Sequence, residues 1–222
     1  MHKVWMLILF SVIAASCSSG EPPPAPQKAP VPAPPRSTQT DARPIILAFG
    51  DSLTAGYGVP NDSAYPELLQ RKVDEEGYRY RVINAGISGD TTSGGLGRLE
   101  AALNTTPSIV ILELGGNDGL RGLPVEQTRA NLDEMIVAFK NSGARVILAG
   151  MTLPLNYGTD YVHSFEDVFK DLARKHDVPL IPFFLEGVAG KPGLVQPDGI
   201  HPTAQGYLLV AEIVWKYLEP LL

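Results

Sequence analysis

The chain has 222 residues, 44% of them hydrophobic and 19% charged, enough apolar mass for one globular domain with a sizeable core. Its formal charge is −6, and residues 44–222 hold 14 of the basic and 22 of the acidic residues, a balance of −8, which excludes the basic footprint of a nucleic-acid binder. The single cysteine excludes an internal disulfide.

The first 16 residues, MHKVWMLILFSVIAAS, place Lys3 ahead of an apolar run from Val4 to Ala15 and then small residues. This pattern reads as a secretory signal peptide, too short to span a membrane. Cys17 follows in IAASCSSG. It is either a free thiol in a discarded signal or the lipid-accepting cysteine of a bacterial lipoprotein, whose motif the AASC run resembles. The expectation is the second: export to the periplasm or bacterial envelope, with a membrane anchor on Cys17. Residues 17–43 then form a spacer, since Gly20 to Thr40 contains eight of the chain's 20 prolines and no apolar periodicity. Such a segment favours solvated, semi-rigid polyproline II.

From Pro44 onward, short β-rich runs alternate with segments long enough for helices. The first run, IILAF (45–49), ends at Gly50, and Asp51 and Ser52 follow at once. Helical spacing covers Tyr65 to Glu76, and YRVIN (80–84) is the second strand, followed by AGISGD with Gly89. A helix is expected over Gly94 to Asn104, then the strand SIVILEL (108–114) and the block GGND with Asn117. A helix over Pro124 to Asn141 leads to RVILAGM (145–151), a helix over Ser164 to His176 to VPLIP (178–182), and Thr203 to Leu222 closes the chain. The apolar runs are those of buried parallel strands, and the β-α-β-α order implies an open parallel sheet with helices on both faces. Ligands of such sheets bind beyond the carboxyl ends of the strands, where the polar blocks stand.

In QPDGIHPTAQG, Asp198 lies three residues before His201, with Gly199 allowing a tight turn and Pro202 suited to opening a helix. The carboxylate can then orient the imidazole, the third-group role in a catalytic triad, although an Asp turn beside a surface histidine reads the same way. His2 belongs to the signal, His163 falls in a polar loop, and His176 ends a helix, where it favours the dipole. No metal site is expected: DxxH offers two ligands, HExxH is lacking, and Cys17 lies outside the domain.

Ser52 is either a helix cap or a nucleophile. A serine hydroxyl attacks only when a base takes its proton and donors await the oxyanion. The strand-to-helix turn supplies one backbone N–H, and the Gly89 N–H and Asn117 side-chain amide are candidates for two more. Taken alone, Gly89 is a turn glycine and Asn117 an Asx turn. Four distant segments, however, each place a needed group where a doubly wound sheet keeps its site.

Together, GDS with Ser52, Gly89, GGND with Asn117, and DGIH with Asp198 and His201 resemble the motif set of the SGNH (GDSL) hydrolases, over nearly all of residues 44–222. The runs SGDTTSGGLGRL, LELGGNDGLRG, LPLNYG and PDGIHP are most similar to the bacterial arylesterase, acyl-CoA thioesterase and lysophospholipase branch. The resemblance implies a three-layer α/β/α sandwich with a flavodoxin-like five-stranded parallel sheet. It further implies a serine hydrolase triad of Ser52, Asp198 and His201, and an oxyanion hole of the Ser52 amide, Gly89 and Asn117. Substrate contacts are implied at Asp51, Leu53, Leu153 and Pro154. The implied substrates are acyl esters, thioesters or lysophospholipids, with no cofactor. Alternatives are a membrane-tethered acyl- or glycan-binding module, or a carbohydrate O-acetyl esterase on the same fold. An α/β-hydrolase is disfavoured because no G-x-S-x-G elbow occurs.

Overall fold

In the computed structural model of the chain, residues 41–222 are described, so the expected signal peptide, Cys17 and nearly all of the proline-rich spacer lie outside the described residues. Five strands, β1 (Ile45–Gly50), β2 (Arg81–Gly86), β3 (Ile109–Glu113), β4 (Arg145–Ala149) and β5 (Leu180–Ile181), form one sheet. Their order is β2-β1-β3-β4-β5 and every pairing is parallel. The three central strands are buried almost throughout, which is why they read as unbroken apolar runs.

The helices cover both faces. α2 (Tyr65–Glu75) packs on α8 (Ala204–Leu218), while α3 (Thr92–Gly97), α6 (Val125–Asn141) and α7 (Thr159–His176) pack side by side on the other. The expected three-layer α/β/α sandwich is therefore present. Edge-to-face pairs such as Phe49–Phe139, with ring centroids 5.5 Å apart, join strand to helix in the core. Two short helices matter for the site: α1 (Ser52–Ala55) directly after β1, and α5 (Gly116–Leu120) after β3.

Several elements depart from the sequence reading. The helix expected over 94–104 breaks at Arg98 into α3 and α4 (Leu99–Leu103), because the Arg98 guanidinium turns inward. Its Nη2 donates to the Gly50 carbonyl and its Nη1 to that of Ala85, both at 2.8 Å, and Nε reaches Asp90 at 2.7 Å. α7 begins at Thr159 rather than Ser164, so His163 lies on a helix and not in a loop. β5 keeps two residues of its five-residue run, since Pro179 and Pro182 bring no donor to the ladder. Pro202 does not open α8. It faces Val195 in an isolated bridge, and Thr203 caps the helix by accepting from the Gly206 N–H.

Candidate active site

The sheet register brings the site together. Gly50 stands opposite Gly86 on β2 and Glu113 on β3, so the segments following all three strands emerge side by side. Close approach is required there: a Cβ on Gly86 would lie 2.2 Å from the Ala55 nitrogen, so only glycine lets α1 sit against β2.

Asp51, not Ser52, caps α1, its Oδ1 accepting from the Leu53 N–H at 3.0 Å. Ser52 is thus the first helical residue, and its hydroxyl is left for another partner. That partner is His201, whose Nε2 lies 2.9 Å from Ser52 Oγ. On the other side of the ring, Nδ1 lies 2.7 Å from Asp198 Oδ2. A carboxylate only accepts, so Nδ1 carries the proton and Nε2 is free to accept from the serine hydroxyl. Asp198 Oδ1 also accepts the backbone N–H groups of Ile200 (2.9 Å) and His201 (3.0 Å), fixing the turn between acid and imidazole. Partial burial opposes the Asp198 charge, but these N–H groups and the imidazole outweigh it and hold the carboxyl down at about 2.

The candidate oxyanion donors, on Ser52, Gly89 and Asn117, line the same cleft as the Ser52 hydroxyl. Among the described residues, the backbone N–H groups of Ser52 and Gly89 make no hydrogen bond, and Gly89 has φ +84°, the left-handed region that favours glycine. The Asn117 Nδ2 donates to Asp51 Oδ2 at 3.0 Å and to the Asp90 carbonyl at 2.9 Å. Both partners are acceptors, which sets the amide nitrogen on that side.

These groups border an open cleft of about 210 Å³. Leu53, Tyr57, Leu120 and Ile200 make its wall largely apolar, and the Tyr57 ring leans on the His201 imidazole with centroids 4.6 Å apart. Of the four expected substrate contacts, Leu53 and Asp51 line the cleft, with the Asp51 carboxyl turned inward to Leu53 and Asn117. Leu153 and Pro154 do not line it. Leu153 is buried under α5, against the space left by Gly119, where an added Cβ would come within 2.7 Å of the leucine side chain. Pro154 is exposed at the start of the turn Leu155–Tyr157. Among the other histidines, His176 is taken up by Asp133 at 2.6 Å, and His163 is exposed on α7.

Sequence reasoning passed over Tyr57, Leu120 and Ile200, which carry no signal beyond proximity to the motifs. It also passed over Glu113, whose signal was a lone charge inside the apolar run SIVILEL.

The GDSL-like Lipase/Acylhydrolase family matches residues 48–209. The chain belongs to this family. It is 46% identical over 186 residues to Esterase TesA of Pseudomonas aeruginosa, covering 83% of this chain and 92% of that protein. It is 42% identical over 181 residues to Thioesterase 1/protease 1/lysophospholipase L1 of Escherichia coli K12, covering 81% and 86% respectively. Among solved structures it resembles the psychrotrophic esterase EstA from Pseudoalteromonas sp., inhibited by monoethylphosphonate. That match has TM-score 0.76 and 35% identity, over 80% of this chain and 97% of that one. The SGNH hydrolase resemblance is thus borne out, and with it the reading as an ester hydrolase.

Proposed function

We propose that the chain hydrolyses acyl esters or thioesters through a covalent acyl-enzyme on Ser52. The observation that carries this reading is the unbroken relay from Ser52 Oγ to His201 Nε2 at 2.9 Å and from His201 Nδ1 to Asp198 at 2.7 Å. In the acylation step, His201 takes the Ser52 proton as Oγ attacks the carbonyl carbon, and the imidazolium is stabilised by Asp198. Negative charge develops on the carbonyl oxygen against the Ser52 and Gly89 N–H groups and the Asn117 amide. His201 then gives its proton to the departing alkoxide or thiolate, which leaves as alcohol or thiol. In the second half, water attacks the acyl-enzyme with the same base, releasing the carboxylic acid and restoring Ser52.

The apolar wall of Leu53, Leu120 and Ile200 suits an acyl chain, in keeping with the esterase and thioesterase/lysophospholipase names of the relatives. The sequence of residues 1–43 adds a location to this reading: export, and a lipid anchor on Cys17 that tethers the domain to a membrane. The test is turnover of p-nitrophenyl butyrate and of a butyryl thioester by the purified protein and by Ser52→Ala. The reading requires hydrolysis of at least one substrate by the wild type and its loss in the variant. A wild-type protein inert toward both classes contradicts it.

A further inference from the structure

Directly behind the proposed nucleophile lies a carboxyl group that the mechanism above does not use. Glu113 is fully buried at the end of β3. Its Oε2 accepts from the Asp51 backbone N–H at 3.2 Å and from Thr54 Oγ1 at 2.6 Å. The Thr54 hydroxyl in turn lies 3.2 Å from the Tyr65 hydroxyl. Glu113 Oε1 is buried with no partner among the described residues, as is the hydroxyl of Tyr207. The space is closed on the strand side: a Cβ on Gly50 would come within 2.4 Å of Glu113 Oε2.

Two features of this arrangement are informative. The bonds go to the residue just before Ser52 and to the residue two after it, so they grip the turn on both sides of the nucleophile. Neither donor is a cation, and the ionisable groups facing Glu113 are Asp51, Tyr65 and Tyr207, none of which brings positive charge. An unpaired carboxylate there would be far costlier than an acid. Two N–H and O–H donors on Oε2 fit a carbonyl oxygen there, which puts the acid's proton on Oε1. Burial, with Asp51 alongside, pushes the Glu113 carboxyl well above the usual range.

We propose that Glu113 is a positioning residue for Ser52: a neutral carboxylic acid that holds the nucleophile turn by the Asp51 N–H and the Thr54 hydroxyl, fixing Ser52 Oγ and N–H against His201 and the cleft. This rests on the reading of Ser52 as the nucleophile. Its consequence is kinetic, because displacement of a reacting atom by about 1 Å costs on the order of 10²-fold in rate.

The experiment compares Glu113→Gln, Glu113→Leu and Thr54→Val in the full chain. Glutamine reproduces the acid, with a carbonyl at Oε2 and an N–H donor at Oε1, so E113Q is expected to keep near-wild-type kcat. Leucine fills the space without an acceptor, so E113L should lose kcat by about 10- to 100-fold with KM little changed. T54V removes one of the two donors and should lower kcat in the same direction by less, which keeps the test open if E113L does not fold. Infrared spectra at neutral pH supply a readout that packing alone does not move: the carbonyl band of a protonated carboxylic acid in the wild type, absent from E113Q. Unchanged kcat in E113L or T54V, E113Q as impaired as E113L, or no such acid band would each overturn the proposal. If Ser52→Ala still hydrolyses esters, the nucleophile reading itself falls. If Ser52→Ala is inactive while E113L is unaffected, only the role of Glu113 falls.

Discussion

Asn117 donates to Asp51, with Nδ2 3.0 Å from Oδ2, and the same nitrogen reaches the Asp90 carbonyl at 2.9 Å. Both amide hydrogens are therefore engaged in the resting site. An oxyanion competes with a neutral carbonyl for one of them and wins only as its charge develops, so the gain falls on the transition state. Asn117→Ala is expected to lower kcat by about 10²- to 10³-fold with much less change in KM. Kinetics and melting temperature measured on one preparation decide it. Near-normal kcat with a depressed melting temperature would reduce Asn117 to a turn residue.

Arg98 is the strut beneath this arrangement. Its side chain is about four-fifths buried, and its guanidinium ties together the Gly50 and Ala85 carbonyls and the Asp90 carboxylate. Removing the cation leaves Asp90 and two carbonyls without their donor, so Arg98→Met should cost about 2–4 kcal/mol in urea unfolding. kcat should fall as well, because the Asp90 carbonyl holds Asn117 and the segment just before it carries Gly89. A variant within about 0.5 kcal/mol of the wild type, the range of an ordinary surface substitution, would contradict this.

The buried acids give stability an unusual dependence on pH. Burial raises Asp51 from 3.8 to about 6 and pushes Glu113 well above 4.5, so near pH 6 the native state holds protons that the unfolded chain has released. Because the native state binds more protons, the unfolding free energy should rise as pH falls from 7 to 5. Asp198 acts in the opposite sense. Its carboxyl is held at about 2, so its stabilising contribution is complete above 3.8 and is lost only as pH falls from there toward 2. Urea midpoints should therefore climb between pH 7 and 5, then drop below pH 4, and E113Q should climb less than the wild type. A wild-type midpoint that falls from pH 7 to 5 more steeply than that of E113Q would contradict the assignment.

The proposed lipid anchor on Cys17 is tested separately from the chemistry. Wild-type protein expressed in a Gram-negative host should incorporate labelled palmitate and sediment with membranes, and Cys17→Ser should lose both. Absence of label from a wild-type protein that fractionates as soluble would make Cys17 part of a discarded signal.

The strands were legible because β1, β3 and β4 are covered on both faces and so cannot alternate. The site segments were legible because the fold rule places ligands at the carboxyl ends of such strands, where Ser52, Gly89 and Asn117 stand. What was not legible depends on tertiary partners. Helical spacing runs straight through Arg98, but the carbonyls of Gly50 and Ala85 and the Asp90 carboxylate, distant from the helix pattern, draw its guanidinium inward. Leu153 was expected in the cleft, but the space left by Gly119 takes it into the core. Whether Ser52 caps its helix or is left to react turned on Asp51, one residue earlier, which takes the capping role. Glu113 was visible as a charge in a buried strand, but the atoms it meets come from a segment about sixty residues away in sequence.

The most direct measurement is covalent labelling at Ser52. Oγ lies 2.9 Å from the His201 base, so a fluorophosphonate should add once per chain, with the adduct on the peptide containing Ser52 by mass spectrometry. Ser52→Ala, with a wild-type circular dichroism spectrum, should take up none and lose ester hydrolysis. His201→Ala should label far more slowly, because the hydroxyl is a weak nucleophile without its base. An adduct on another residue, or undiminished labelling of folded Ser52→Ala, would contradict the assignment of Ser52 as the nucleophile.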